Sequence, residues 1–173
     1  MKDAPPAEIE ATGRELAALC RDYGATLIID DHVELVDAIG ADGVHLGKND
    51  MPVTEVRRIL GSDRIIGATA NTLDDMLAAV TAGADYIGLG PYRFTTTKKK
   101  LSPMLGLEGY RRVMAAFRRV SDLPVVAIGG IGTPDIAPLM QTGITGVAVS
   151  GALLTAPDPP AETRAMLSAL KTT

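Results

Sequence analysis

Two spacings of apolar residues alternate along this chain. Short apolar runs bounded by glycine or small polar residues read as buried strands. They fall at Thr26–Ile29, Gly43–Leu46, Arg64–Gly67, Asp85–Leu89, Pro124–Ile128 and Gly146–Val149. Between the runs, apolar residues return at helical spacing. Ile9, Leu16, Leu19 and Cys20 predict one apolar stripe on a helix ahead of the first strand. Thr72-Leu73-Asp74-Asp75 predicts a capping box before a helix through Met76–Val80, and Thr133-Pro134-Asp135 predicts another helix start. Three segments resemble one another: AIGADGVHLG (38–47), TAGADYIGLG (81–90) and QTGITGVAVS (141–150). Each ends a helical pattern, puts Gly third, where a left-handed cap is needed, and then enters a strand.

The strands begin near 26, 43, 64, 85, 124 and 146, and the longest interval holds an inserted loop near 91–106. Such right-handed strand–helix units build either an open doubly wound sheet or a closed barrel. Glycine or a small polar residue ends nearly every strand, which favours the barrel, because a barrel gathers all strand C-termini around one mouth. The expected fold is therefore α/β, a (β/α)8 TIM-type barrel, with residues 1–173 forming one domain. Six strands do not close an eight-stranded barrel, so the expectation from spacing is an incomplete one.

Composition narrows the picture. Aromatics are only 3% of the chain, so Ala, Val, Ile and Leu must fill the core. A net charge of −4 argues against a nucleic-acid partner, although a local basic patch can still hold phosphates. The single cysteine, Cys20, can form no intrachain disulfide and reads as a buried apolar residue. No apolar run approaches the ~20 residues of a membrane span. The start, MKDAPPAEIE, lacks the basic head and apolar stretch of a signal peptide. A cytoplasmic protein is the expectation.

The residues that follow the strands form a coherent chemical set. Asp31 in Asp30-Asp31-His32 and Asp50 in Gly47-Lys48-Asn49-Asp50 would lie at the ends of adjacent strands. Two carboxylates with open coordination positions suit Mg²⁺, which keeps waters and bridges phosphate oxygens. The competing reading is that each caps the helix after its strand. Thr95, Thr96, Thr97 and Lys98 offer hydroxyls and an ammonium for phosphate, against the alternative of a solvated loop. Gly129-Gly130 and Ser150-Gly151 follow the last two strands, where glycine lets backbone N–H groups approach an anion. A tight turn explains the same glycines. His45, inside a strand, reads as packed or hydrogen-bonded, and His32 reads equally well as a surface residue. No nucleophile motif, zinc-ligand spacing or dinucleotide fingerprint is present.

The segments LIIDDHVELVDAIGADGVHLGKNDMP, IIGATANT, ADYIGLGPYRFTTTK, GLEGY, PVVAIGGI and GVAVSGAL, in that order, resemble the thiamine-phosphate synthase family. The resemblance implies a transferase of thiamine biosynthesis that joins hydroxymethylpyrimidine diphosphate to a thiazole phosphate and releases pyrophosphate. It implies that Asp31 and Asp50 hold Mg²⁺ on the diphosphate and that Lys98 neutralises the leaving group. Asp30 stands where the family has an Asn touching the same group, and Thr69 stands at a Ser position near the pyrimidine. Thr95, Thr96, Thr97, Gly130 and the Ser150-Gly151 backbone would take the thiazole phosphate. The family has Val-Ser where this chain has Ser-Gly, so backbone contact is expected there.

The family also opens with two strands, the second ending in a Gln-x-Arg-x-Lys pattern that binds the pyrimidine diphosphate. The resemblance implies that this chain lacks these first two strands of the barrel, with the Gln and the Arg. Met1-Lys2-Asp3 fits the tail of that pattern, with Lys2 as its Lys, and implies a start at an internal methionine. The open barrel edge left there favours self-association. Two alternatives stay open: a thiazole tautomerase-like relative, and an inactive truncated phosphate-binding remnant.

Overall fold

A computed structural model describes residues 4–94 and 103–171. Lys2 and Thr95 to Lys98 lie outside the described residues. All six expected strands are present. They are β1 (Ile28–Asp30), β2 (Gly43–Leu46), β3 (Ile65–Ala70), β4 (Tyr86–Leu89), β5 (Val125–Ile128) and β6 (Gly146–Ala148). The helices are α1 (Pro6–Tyr23), α2 (Val36–Ile39), α3 (Val53–Leu60), α4 (Leu73–Ala82), α5 (Gly106–Phe117), α6 (Thr133–Met140), α7 (Gly151–Leu154) and α8 (Pro159–Lys171). No helix among the described residues is long and apolar enough to cross a membrane. The chain divides into two compact units: residues 1–69 with 81–85, and residues 70–80 with 86–173.

In the first unit β1, β2 and β3 pair in parallel and in chain order. Ile28 lies opposite Gly43, Asp30 opposite His45, and His45 opposite Gly67. Val44, Leu46 and Ile66 are buried beneath helical Val36, Ile39 and Val56. The expected stripe on α1 is corrected. Leu16 and Leu19 are 44% and 53% exposed and Cys20 is half-buried, while Ile9, Gly13 and Ala17 face the core. Small residues let α1 approach closely: a Cβ on Gly13 would stand 2.6 Å from Ile39 Cδ1. No side chain has room at Gly13, and Leu16 and Leu19 point outward.

In the second unit β4, β5 and β6 pair in the same parallel sense, Ile87 opposite Val125 and Val126 opposite Gly146. Helix α5 buries Tyr110, Met114 and Phe117, which recur at i, i+4 and i+7 on one face. Each such side chain contributes ~1.5–3 kcal/mol on burial. An exposed ion pair such as Arg111–Glu108 contributes at most ~1 kcal/mol, so the apolar face holds this helix in place. The capping box expected ahead of α4 is present: Asp75 N–H donates to Thr72 Oγ1 (3.1 Å), and Thr72 N–H donates to Asp75 Oδ2 (3.1 Å).

The three similar segments share a device that spacing alone did not reveal. Their third residues, Gly40, Gly83 and Gly143, all have positive φ; Gly40 is the left-handed cap of α2, whereas α6 is capped by Gln141 and Gly143 turns the chain two residues later. Their fifth residues are Asp42, Asp85 and Thr145. Each accepts, through its side chain, the N–H of a residue on or immediately before the preceding strand: Leu27 (2.7 Å), Ile66 (2.7 Å) and Val125 (3.2 Å). Each also donates its own N–H to the carbonyl of that same residue. Two hydrogen bonds thus lock each αβ turn to its neighbouring strand.

Candidate active site

The first unit carries the acidic residues. Asp30 ends β1 and Asp31 follows it with φ +63, the only positive φ at a non-glycine among the described residues. Asp tolerates the left-handed region better than most residues. The kink is fixed by Asp31 N–H donating to the His45 carbonyl on β2 (3.1 Å) and by Val33 N–H donating to the Asp31 carbonyl (2.9 Å). Asp31 Oδ1 is buried.

Asp50 lies in the turn after β2, where its Oδ2 accepts the Gly47 N–H at 2.6 Å. A Cβ on Gly47 would come within 2.8 Å of that oxygen, so glycine makes the approach possible. The capping alternative fails for both acids. His32 and Pro52 occupy the N-cap positions of the helical turns that follow, and neither turn has a side-chain cap. Asp31 and Asp50 therefore follow two paired strands, as their spacing predicted, and cap neither helix.

The buried Asp31 Oδ1 and the Asp50 carboxylate are hard oxygen donors of the kind that Mg²⁺ takes, one or two at a time, together with waters and substrate oxygens.

His45 Nε2 and Thr69 Oγ1 are 3.0 Å apart, linking the ends of β2 and β3. The hydrogen-bonded reading of His45 holds, and the imidazole fixes the hydroxyl that the resemblance assigned to the pyrimidine. His32 Nδ1 meets Glu34 Oε1 at 3.0 Å, and that hydrogen bond holds the Glu34 carboxyl below its usual range.

The second unit carries the glycine turn. Gly129 and Gly130 have φ of +88 and +71, so the turn reading of these residues is correct. They also allow close approach. A Cβ on Gly129 would stand 2.8 Å from Pro91 Cβ, and one on Gly130 would stand 2.9 Å from the Phe94 carbonyl oxygen. Segment 91–94 is joined to this turn by Tyr92 N–H donating to the Ile128 carbonyl (2.9 Å) and Arg93 N–H to the Gly129 carbonyl (3.0 Å). Gly130 is exposed. Ser150 precedes the single-turn α7 without a side-chain cap, and the Cβ direction of Gly151 opens onto free space.

One cluster beside this turn was not anticipated from the sequence. Arg93 grips Asp135 with two parallel hydrogen bonds, Nη1 to Oδ2 at 2.6 Å and Nη2 to Oδ1 at 2.5 Å. Asp135 Oδ2 also accepts the Gly132 N–H (2.9 Å). The guanidinium carbon lies 4.7 Å from the centre of the Tyr92 ring. Burial by itself would push the Asp135 carboxyl up, but the Arg93 fork and the Gly132 N–H outweigh it and hold it below the usual carboxylate range. Tyr92 packs edge-on against Tyr110, whose hydroxyl donates to the Leu89 carbonyl and is pushed up by burial.

Comparison with known proteins agrees with these elements. The family model described as thiamine monophosphate synthase matches residues 1–153. A thiamine-phosphate synthase of Phocaeicola vulgatus is 60% identical over 169 residues, covering 97% of this chain and 81% of its own. A ThiM/ThiE bifunctional thiamine biosynthesis protein of Symbiobacterium thermophilum is 49% identical, covering 96% of this chain and 34% of its own. The solved thiamine phosphate pyrophosphorylase of Pyrococcus furiosus superposes with a TM-score of 0.88 at 35% identity, covering 99% of this chain and 80% of its own. A 3-hexulose-6-phosphate synthase, at 14% identity and a TM-score of 0.68, shares the fold alone.

Proposed function

The chain belongs to the thiamine monophosphate synthase family, and from that premise we propose that it is a transferase coupling hydroxymethylpyrimidine diphosphate to thiazole phosphate with release of pyrophosphate. The observation that carries the chemical part of the reading is the carboxylate pair. Asp31 and Asp50 follow adjacent parallel strands and cap neither helix that follows them. The (β/α)8-type barrel and the single domain over residues 1–173 belong to the same proposal, supported by all-parallel pairing in chain order within each unit.

Asp31 and Asp50 would hold Mg²⁺, which would supply positive charge to the diphosphate. Asp30, in the family's Asn position, reaches the same group through the metal or through water, because a bare carboxylate repels phosphate. Thr69, oriented by His45, contacts the pyrimidine. Lys98 neutralises the departing pyrophosphate, and Lys2 adds charge to it. Thr95, Thr96, Thr97, Gly130 and the Ser150-Gly151 backbone take the thiazole phosphate.

The bond from the pyrimidine methylene carbon to the diphosphate oxygen breaks first, and its electron pair leaves with pyrophosphate. The aminopyrimidine ring delocalises the resulting cation, and the lone pair of the thiazole nitrogen then forms the new carbon–nitrogen bond. The protein's task is charge neutralisation and fixed approach rather than covalent catalysis. We place the reaction in the cytoplasm and propose self-association through the β1 side of the first unit, where α1 leaves Leu16 and Leu19 exposed.

The test is thiamine phosphate formation from the two substrates with Mg²⁺, repeated after chelation. Product that requires the metal is the expected result. Binding of both substrates with no product in any metal condition would refute the transferase reading, and isomerisation of the thiazole alone would move it to the tautomerase alternative.

A further inference from the structure

The strongest unassigned feature is the Arg93–Asp135 pair. An ion pair with a half-exposed arginine is ordinarily worth little, but three observations set this one apart. The Asp135 side chain is only 9% exposed. The contact is bidentate, the geometry in which arginine binds carboxylate with defined orientation. Finally, Asp135 Oδ2 is shared between the guanidinium and the Gly132 N–H, so one carboxylate ties segment 91–94 to the end of the Gly129–Gly132 turn. The Arg93 N–H, bonded to the Gly129 carbonyl, ties the same segment to the beginning of that turn. The turn is thus held at both ends by one residue pair.

We propose that Arg93 and Asp135 are positioning residues that set the Gly129–Gly132 turn for the thiazole phosphate, without contacting the phosphate themselves. The inference rests on the proposed assignment of Gly130 to that phosphate. Its electrostatic logic is specific. A buried carboxylate beside an anion site repels the anion unless its charge is cancelled, and the guanidinium cancels it. The pairing also engages the guanidinium, which leaves anion recognition to the glycine backbone. The glycines at 129 and 130 leave too little space for the turn to shift toward segment 91–94, so loss of the pair moves the turn outward.

The experiment uses Arg93→Gln, Asp135→Asn and the double variant, with Arg93→Lys as the conservative replacement. Asparagine keeps an acceptor for the Gly132 N–H, so Asp135→Asn retains the start of α6 and folds. Steady-state kinetics are measured with each substrate varied in turn. The expected result is a rise in KM for thiazole phosphate of about tenfold in both single variants, as misplacement of a positioned group produces. KM for the pyrimidine diphosphate stays unchanged, and the double variant is no worse than the poorer single one. Arg93→Lys, which keeps the charge but loses the fork, falls between wild type and Arg93→Gln.

Loss in Arg93→Gln with Asp135→Asn at or above wild type would overturn the inference and make Arg93 a direct phosphate ligand. Equal rises in both KM values would reduce the pair to a stability element. If the wild type forms no thiamine phosphate, the transferase reading fails on its own. The affinity of wild type and variants for inorganic phosphate then decides the inference, and equal affinities overturn it.

Discussion

Asp50 has two tasks, and they can be separated. One carboxylate oxygen braces the Gly47 N–H at 2.6 Å, and the negative charge is proposed for Mg²⁺. Asp50→Asn keeps an acceptor and removes the charge. We expect its melting temperature to stay within a few degrees of wild type while activity falls about 100-fold, with partial recovery at higher Mg²⁺. Asp50→Ala should lose the same activity and ~1 kcal/mol of stability as well, measured by urea unfolding. Asp135 has a pH signature of its own. Its folded-state carboxyl lies below the ordinary value of 3.8. A depressed group contributes stability that is complete above that value and is lost as pH falls through the lower folded value. Unfolding free energy measured below pH ~4 should therefore fall less steeply with acid in Asp135→Asn than in wild type. Of these acids the sequence marked Asp31 and Asp50, because each follows a strand. The Arg93–Asp135 partnership was hidden, since its members stand 42 positions apart and only the folded chain brings them together.

At the scale of elements, the six strands were legible because an apolar run between glycines leaves a short segment few alternatives. Helix α1 was misread for a definite reason. Counting apolar residues selects Leu16 and Leu19, whereas close packing selects the face of Gly13 and Ala17, which carries almost no hydropathy signal. The resemblance among residues 38–47, 81–90 and 141–150 was visible, but the bonding role of the fifth residue was not. Aspartate and threonine look unrelated until both are seen accepting the same strand N–H. Strand β2 provides a direct test of packing. A Cβ on Gly43 would lie 2.0 Å from the Ile65 carbonyl oxygen, a backbone atom that cannot swing aside. Gly43→Ala should separate β2 from β3 and cost ~3 kcal/mol or more, read as a lower urea midpoint. An unchanged midpoint would mean that the strands sit farther apart than described.

At the scale of the whole molecule, exposed apolar residues occur in both units. In the first unit an open cleft of about 250 Å³ runs between α1 and β1, lined by Ile9, Leu16, Leu27 and Ile29 and ending at Asp30 and His32. Sedimentation at increasing concentration should show association, and Leu16→Glu with Leu19→Lys should shift the protein toward monomer without loss of helical content. Concentration-independent sedimentation of the wild type would refute the proposed self-association. The strand-end positions of Asp31, Asp50 and Gly129-Gly130 were legible in the sequence, while the chemistry proposed for them rests on the resemblance. The residues 95–98, which the sequence marked as clearly as any, lie outside the described residues.

The paired locks at the αβ turns also bear on how such a chain finds its fold. Their side-chain bonds span only 15, 19 and 20 positions, and the entropy cost of closing a loop grows slowly with its length. Strand alignment becomes a neighbourhood decision, taken separately at each turn without waiting for contacts between distant parts of the polypeptide. A misalignment at one turn can then be corrected there, without undoing those already made.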